Sequence, residues 1–319
     1  MVEPIQVLAI AILLDLLLGD PEFHLHPVRI IGYSIQYVER LLKPVPINET
    51  LKGIFLATLI PCTFFFVSHL LIRFAWTHGA LAGTITSGII LYFTLGLRSL
   101  GEEAMVVANA LDQGDLGLAR IRLARIVGRE TKGLDATEIS RAAIETVGEN
   151  FVDAVLAPLF YWAIGGAALA VFYRAVNTLD AMVGYKDKKY KRLGWASARL
   201  DDLLNFIPSR ISPVFIAIAT LFLGKWQPNI IKKALIDGKG HESPNSGISE
   251  AAFSHALGVR LGGPTHYREG IKNRAFLNPE GAPPTAKDIR RAVKLLHISA
   301  LMFALVLGII SHLKTFSIN

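Results

Sequence analysis

The chain has 319 residues, of which 52% are hydrophobic and only 18% charged, and its mean hydropathy is +0.42; an ordinary soluble domain carries about 25% charged residues. This composition excludes disorder, a collagen-like fibre and a disulfide-stapled secreted module, and it points to a polytopic membrane protein. The 33 Lys and Arg outnumber the 26 Asp and Glu to give +7, and no basic segment is interleaved with aromatics, so the excess reads as cytoplasmic loops and no nucleic-acid partner is expected.

Six apolar stretches are expected to form the membrane part, at residues 5–18, 54–72, 80–97, 154–172, 211–223 and 295–310. The first is short and interrupted by Asp15, and the chain reaches no Lys or Arg until Arg29. It lacks the positive n-region and cleavage site of a signal peptide, so it reads as a retained helix. An aspartate inside it is either functional or faces a protein-lined polar cavity. The second and third stretches are long enough to span and form a hairpin across residues 73–79. Cys62, the single cysteine, sits in the second stretch and makes neither a disulfide nor a multi-Cys zinc site.

Lys and Arg counts then set an orientation. Residues 19–53 hold four, 73–79 one, 98–153 seven, 173–206 seven and 224–294 twelve. The positive-inside rule places 19–53 and 98–153 in the cytoplasm. Strict alternation through 154–172 would put the basic 173–206 outside. Pro158 and Gly165-Gly166 interrupt that stretch, and 211–223 is only 13 residues long, so one or both are expected to be re-entrant or interfacial. Elsewhere, 101–111 and 116–127 read as a helical hairpin, 137–153 as a helix and 278–284 as a loop. No strand pattern is evident, so the expected fold is an all-α, single polytopic domain with four to six membrane helices.

Four polar blocks could carry chemistry. The first is Gly19-Asp20-Pro21 through His26-Pro27 to Arg29, directly after the first helix; His24 and His26 alone make a weak metal signal. In the second, Arg129 precedes a helix on which Arg141, Glu145, Glu149 and Asp153 recur at i+4 and form one stripe. A solvated ion-paired face explains such a stripe as well as a site does. Carboxylates at a membrane surface also suit Mg²⁺, which takes a few oxygen ligands plus substrate phosphates. The third block holds Arg174, Asn177, Asp180 and Gly184, then a basic run from Lys186, then Arg199, Asp201, Asp202, Asn205 and Arg210. Asn177, Asp180 and Gly184 share a helical face. The fourth is His241-Glu-Ser-Pro-Asn245-Ser-Gly247, followed by Glu250, His255 and Leu261-Gly-Gly-Pro264, whose Gly- and Pro-rich loops are of the kind that cradle anions. There is no Walker A motif, dinucleotide fingerprint or nucleophile elbow.

The longest words in these blocks are Arg141-Ala-Ala-Ile-Glu-Thr-Val-x-Glu-Asn150 with Asp153, Ala175-Val-Asn-Thr-Leu-Asp-x-Met-Val-Gly-Tyr-Lys186, Arg199-Leu-Asp-Asp-Leu203, Ser243-Pro-Asn-x-Gly247 and Leu257-Gly-Val-x-Leu-Gly-Gly-Pro264. Together with Gly19-Asp-Pro and His26-Pro-Val-x-Arg29, they resemble the CbiB/CobD family of membrane-bound adenosylcobinamide-phosphate synthases, in order, to about residue 265. The resemblance implies an integral cell-membrane enzyme of cobalamin biosynthesis with its site facing the cytoplasm. It would use ATP as co-substrate and Mg²⁺ as cofactor to join the free carboxylate of a corrinoid, adenosylcobyric acid, to aminopropanol phosphate or aminopropanol. Under it, Glu145, Glu149, Asp153 and Asp180 are expected to hold Mg²⁺. Asp201 or Asp202 would be the general base, with Glu149 also catalytic. Asp20, His26, Arg29, Arg129, Arg141, Asn150, Asn177, Lys186, Arg199, Arg210 and Asn245 would bind substrates. All four blocks are then expected to meet on the cytoplasmic side, and a homo-oligomer is compatible with the sequence. The rival readings are a transporter for a corrinoid or small anion, and a membrane scaffold for soluble enzymes.

Overall fold

In a computed structural model, the structure describes residues 4–21, 23–184, 190–224, 226–267 and 270–318. Twelve α-helices follow one another among them: α1 (Ile5–Leu18), α2 (Pro27–Leu42), α3 (Glu49–Thr77), α4 (Ala80–Tyr92), α5 (Leu97–Asp112), α6 (Leu116–Leu123), α7 (Ala136–Phe151), α8 (Ala157–Val183), α9 (Trp195–Ala219), α10 (Ile230–Asp237), α11 (Ser246–Leu257) and α12 (Ala286–Ile318). A π-helical turn, Val152–Leu156, lies between α7 and α8, and strands β1 (Leu261–Tyr267) and β2 (Gly270–Leu277) lie between α11 and α12. Five stretches are long and apolar enough to cross a membrane: Glu49–Thr77, Ala80–Asp112, Ala136–Val183, Trp195–Leu223 and Ala286–Leu313. The all-α, polytopic expectation holds. The short 211–223 stretch is the end of a helical run that begins at Trp195, and that length makes it span-sized.

The chain divides into two compact units. The first comprises residues 1–96, 157–205 and 304–319. Here α1 ends where Gly19, at φ 66°, returns its N–H to the Asp15 carbonyl, and the Tyr92 hydroxyl donates to the Gly19 carbonyl at 2.7 Å. Gly88 lets α1 and α4 approach closely, since a Cβ there would lie 2.6 Å from an Ile10 methyl. Asp15 is buried at 1% exposure, which fits the expectation of a protein-facing acid. Pro27 at the start of α2 fixes a helical φ without losing a needed N–H. The Asn48 side chain caps α3 by accepting from the Thr50 N–H at 2.8 Å. Ile31, Ile35, Leu56, Ile60, Leu179 and Val183 form the core where α2, α3 and α8 pack. At the expected interruption, Gly165 and Gly166 leave helical geometry (φ −141° and 77°), and the second of these angles suits only glycine.

The second unit comprises residues 97–156 and 206–303. The predicted hairpin is present: α5 ends at Asp112, and Asp115 caps α6 by accepting from the Leu118 N–H at 2.8 Å. A capping box between Asp135 and Glu138 starts α7. Helix α11 is buried on every side, which its Ala- and Ser-rich sequence allows, and it packs on α7 through Phe253 against Phe151. The Ser249 hydroxyl donates to the Gly148 carbonyl at 2.6 Å, and a Cβ on Gly148 would lie 3.0 Å from the Glu250 Cα. The β1–β2 hairpin is antiparallel with an irregularity between Gly262 and Pro264. Sequence reading missed it because glycines and a proline replace apolar alternation in β1.

Candidate active site

A buried ion network organises the second unit. Glu145, on the inner face of α7, is 2% exposed. Its Oε2 accepts from Arg129 at 2.6 Å and from Arg274 at 3.4 Å, and its Oε1 accepts from the Gly262 N–H at 2.8 Å. Gly262 holds φ 74°, and a Cβ there would lie 2.1 Å from the Ala275 carbonyl oxygen. Only glycine can turn that N–H towards the carboxylate. The Gly-Gly-Pro segment, read from sequence as an anion-cradling loop, lies instead in β1, where its Gly262 N–H binds the protein's own Glu145.

Arg274, on β2, also donates to Glu250 Oε2 at 3.2 Å and contacts His241 Nε2. The His241 Nε2 lies 3.4 Å from Glu250 Oε1. Burial and the adjacent Arg274 guanidinium push the His241 pKa down to about 4, so the ring is neutral at pH 7. On the other side of the ring, Nδ1 lies 3.1 Å from both the Ser243 carbonyl oxygen and the Ser243 N–H. Burial raises the Glu250 carboxyl well above the ordinary carboxylate range; Arg274 opposes this, while Glu145 and Glu149 reinforce it. Charge counting supports that direction, since two guanidiniums face three carboxylates.

Glu149, one turn beyond Glu145, differs from its neighbours in having an exposed residue surface, while its carboxyl is desolvated by the surrounding protein and lies in the field of Arg274, Arg129 and Glu145. The i+4 stripe runs from Arg141 to Glu149 and then meets the π-helical turn that contains Asp153, where i→i+5 bonding ends the α period. Arg141 donates to the Pro264 carbonyl at 3.0 Å, tying α7 to the hairpin, and Asn150 donates to the Thr146 carbonyl at 3.0 Å. Arg210 stacks on Phe206 and donates to Asn245 Oδ1 at 3.2 Å, an oxygen that also accepts from the Ser209 hydroxyl at 3.2 Å. The second and fourth blocks, with Arg210, are thus joined in this unit.

The rest of the third block closes on itself in the first unit. Asp201 Oδ1 accepts from Asn177 at 3.3 Å and Oδ2 from Asn205 at 2.9 Å, while Asn205 Oδ1 accepts from the buried Tyr173 hydroxyl at 2.8 Å. Asp180 has a buried Oδ1 without a hydrogen-bond partner among the described residues, in the field of Asp201 and Asp202. Gly184 makes room for this carboxylate, because a Cβ there would lie 1.9 Å from the same oxygen. Asp202 is half-buried and Arg199 is exposed. In the first block, His26 Nε2 lies 2.8 Å from Asp20 Oδ1 and its ring meets Phe23 and Phe93 edge-on, while Arg29 is exposed. Lys186 lies outside the described residues.

The expected metal ligands differ in fit. Glu145 does not fit, because a cation would have to displace two guanidiniums and a backbone N–H. The exposed Glu149 and its neighbour Asp153 fit a Mg²⁺ that takes one or two carboxylates and completes its shell with phosphate oxygens and water. The unpartnered oxygen of Asp180 also fits a cation. Among the described residues no group of three His, Cys, Asp or Glu side chains is arranged to hold a metal by protein atoms alone.

Arg274, Glu250 and His241 were not among the expected site residues. Arg274 is 129 positions from Glu145, and nothing in the local sequence of β2 marks it. Glu250 and His241 do stand in the fourth polar block, where their burial is the missing signal.

Comparison with known proteins places this chain in a family. A protein of Pelobacter propionicus described as cobalamin biosynthesis protein CobD is 42% identical over 300 residues, covering 94% of this chain and 93% of that one. A Geobacter metallireducens protein of the same description is 41% identical and covers 99% of each chain. A Klebsiella pneumoniae relative, also so described, is 36% identical and covers 94% of this chain and 95% of its own. No solved structure matches. The family model described as CobD/Cbib protein matches residues 8–296, a range that takes in every residue of the ion network, so the chain belongs to the CobD/Cbib family of cobalamin biosynthesis.

Proposed function

We propose that this protein is an ATP-dependent amide synthase that joins adenosylcobyric acid to aminopropanol phosphate or aminopropanol, acting at the cytoplasmic face of the cell membrane. The observation that carries the reading is the exposed Glu149 beside a buried arginine–glutamate network. That arrangement supplies a carboxylate at the edge of the network, partly desolvated and in a field already fixed by charge, which suits phosphate and metal handling better than a solvated helix face does.

In the proposed reaction the corrinoid carboxylate attacks the γ-phosphorus of ATP, giving an acyl phosphate and ADP. The amine, having lost a proton, attacks the acyl carbon and expels phosphate. Mg²⁺, held by Glu149 and Asp153 with substrate oxygens, would neutralise phosphate charge. Arg210 uses one nitrogen on Phe206 and Asn245, leaving further N–H groups for a phosphate or carboxylate. The Asp201 carboxylate, oriented by Asn177 and Asn205, or its neighbour Asp202, is the acceptor for the ammonium proton.

The test is purified protein in detergent with adenosylcobyric acid, aminopropanol phosphate or aminopropanol, ATP and Mg²⁺. Amide product with stoichiometric ADP supports the proposal. No product, together with corrinoid flux in proteoliposomes, would establish the transporter instead.

A further inference from the structure

Helices α2 and α3 of the first unit enclose two hollows that follow one another along the pair. One is a polar cavity of about 440 Å³ lined by Glu39, Arg40, Lys43, Glu49 and Lys52. The other is a largely apolar groove of about 450 Å³ lined by Tyr33, Tyr37, Val38, Leu59, Thr63 and Phe64. The α2 positions fall as the α3 positions rise, so the two hollows lie in sequence along an antiparallel pair. Lys52 stands in the first turn of a helix long and apolar enough to cross a membrane, and a charged first turn of such a helix belongs at the headgroup level. Thr63 is eleven residues further on, about 16 Å along the helix. That is close to half of a hydrocarbon core about 30 Å thick, the depth of one leaflet.

The charges of the polar cavity are mixed. Lys52, 5% exposed, is held by Glu49 at 2.7 Å, and Glu39 accepts from the Tyr190 hydroxyl at 3.4 Å. Arg40 and Lys43 have no ion-pair partner among the described residues. A cavity offering both free cations and carboxylates complements a ligand that carries a phosphate and an N–H-bearing ammonium together. We propose that the α2–α3 groove binds one phospholipid with an ethanolamine headgroup. Its phosphate faces Arg40 and Lys43, its ammonium faces Glu39 and Glu49, and an acyl chain lies along Tyr33, Tyr37 and Thr63. Phosphatidylglycerol lacks the ammonium, and phosphatidylcholine lacks the N–H donors.

Native mass spectrometry of the delipidated full chain tests this, titrating dioleoyl phosphatidylethanolamine, phosphatidylglycerol and phosphatidylcholine separately, and O-phosphoethanolamine as the headgroup alone. The expected result is phosphatidylethanolamine bound at least about fivefold more tightly than either other lipid. Arg40→Ala/Lys43→Ala and the groove-filling Thr63→Trp should each weaken it about tenfold or more, and Glu39→Gln should shift preference towards phosphatidylglycerol. Thermal melts of each variant verify folding, and Arg40 and Lys43 are surface side chains whose loss leaves the core intact. Equal or tighter binding of phosphatidylglycerol, or unchanged binding in both the double variant and Thr63→Trp, would overturn the proposal. Displacement of the lipid by O-phosphoethanolamine at matching concentration would also overturn it, by making the cavity a site for a soluble aminoalkyl phosphate.

Discussion

Replacing Arg274 with methionine removes the one side chain that reaches Glu145, Glu250 and His241 together. Three carboxylates would then face a single guanidinium. Breaking a buried pair by deleting one partner costs about 3–5 kcal/mol. The lower end applies here, for two reasons. Glu145 keeps Arg129 at 2.6 Å and the Gly262 N–H at 2.8 Å, and Glu250, already raised by burial, escapes its lost partner by holding a proton. At about 2–4 °C per kcal/mol, Arg274→Met should melt about 6–12 °C below the parent, followed by the fluorescence of the four tryptophans. The pH dependence has a definite sign. A carboxyl whose folded pKa lies above its unfolded value stabilises the fold at low pH and loses that contribution as pH rises. The deficit of Arg274→Met should therefore widen from pH 5 to pH 8, and adding Glu250→Gln should remove the widening. A melting shift under about 2 °C, or a deficit that ignores pH, would refute the network reasoning.

Other outcomes follow from the same geometry. Glu149→Gln and Asp201→Asn should each lower amide synthesis at least about a hundredfold with folded protein retained, measured as ADP release; near-normal rates in both would remove these residues from the reaction. His241, near 4 when folded against an ordinary 6.5, stabilises the protein fully above pH 6.5. That contribution, on the order of 3 kcal/mol, is lost as pH falls towards 4, and His241→Gln should flatten the acid limb of the melting profile. Gly262→Ala should abolish the Glu145 contact through strain at φ 74° and give a melting deficit comparable to that of Arg274→Met. A reporter inserted at Gln113-Gly114, the exposed turn after α5, should read as cytoplasmic, and a signal from the opposite side of the membrane would invert the proposed topology.

The sequence alone carried much of this protein. Apolar runs marked where membrane helices lie, because lipid requires nearly every side chain in a span to be apolar. Gly165-Gly166 marked the break in α8, because two adjacent glycines cannot hold a helix against competing packing. The polar words carried enough identity to indicate the family. These signals are local in the chain, so a window of a few residues contains them.

What only the tertiary structure decided is the partnership of charges. The i+4 stripe on α7 put Glu145 and Glu149 together as metal-ligand candidates, but burial separates them: one is closed off by two arginines and a glycine N–H, the other is on the exposed side of the helix. Arg274 could not be anticipated, because its partners come from α7, α11 and the loop before α11. Buried charges are stable only when matched, and the match depends on which distant segments share one low-dielectric interior.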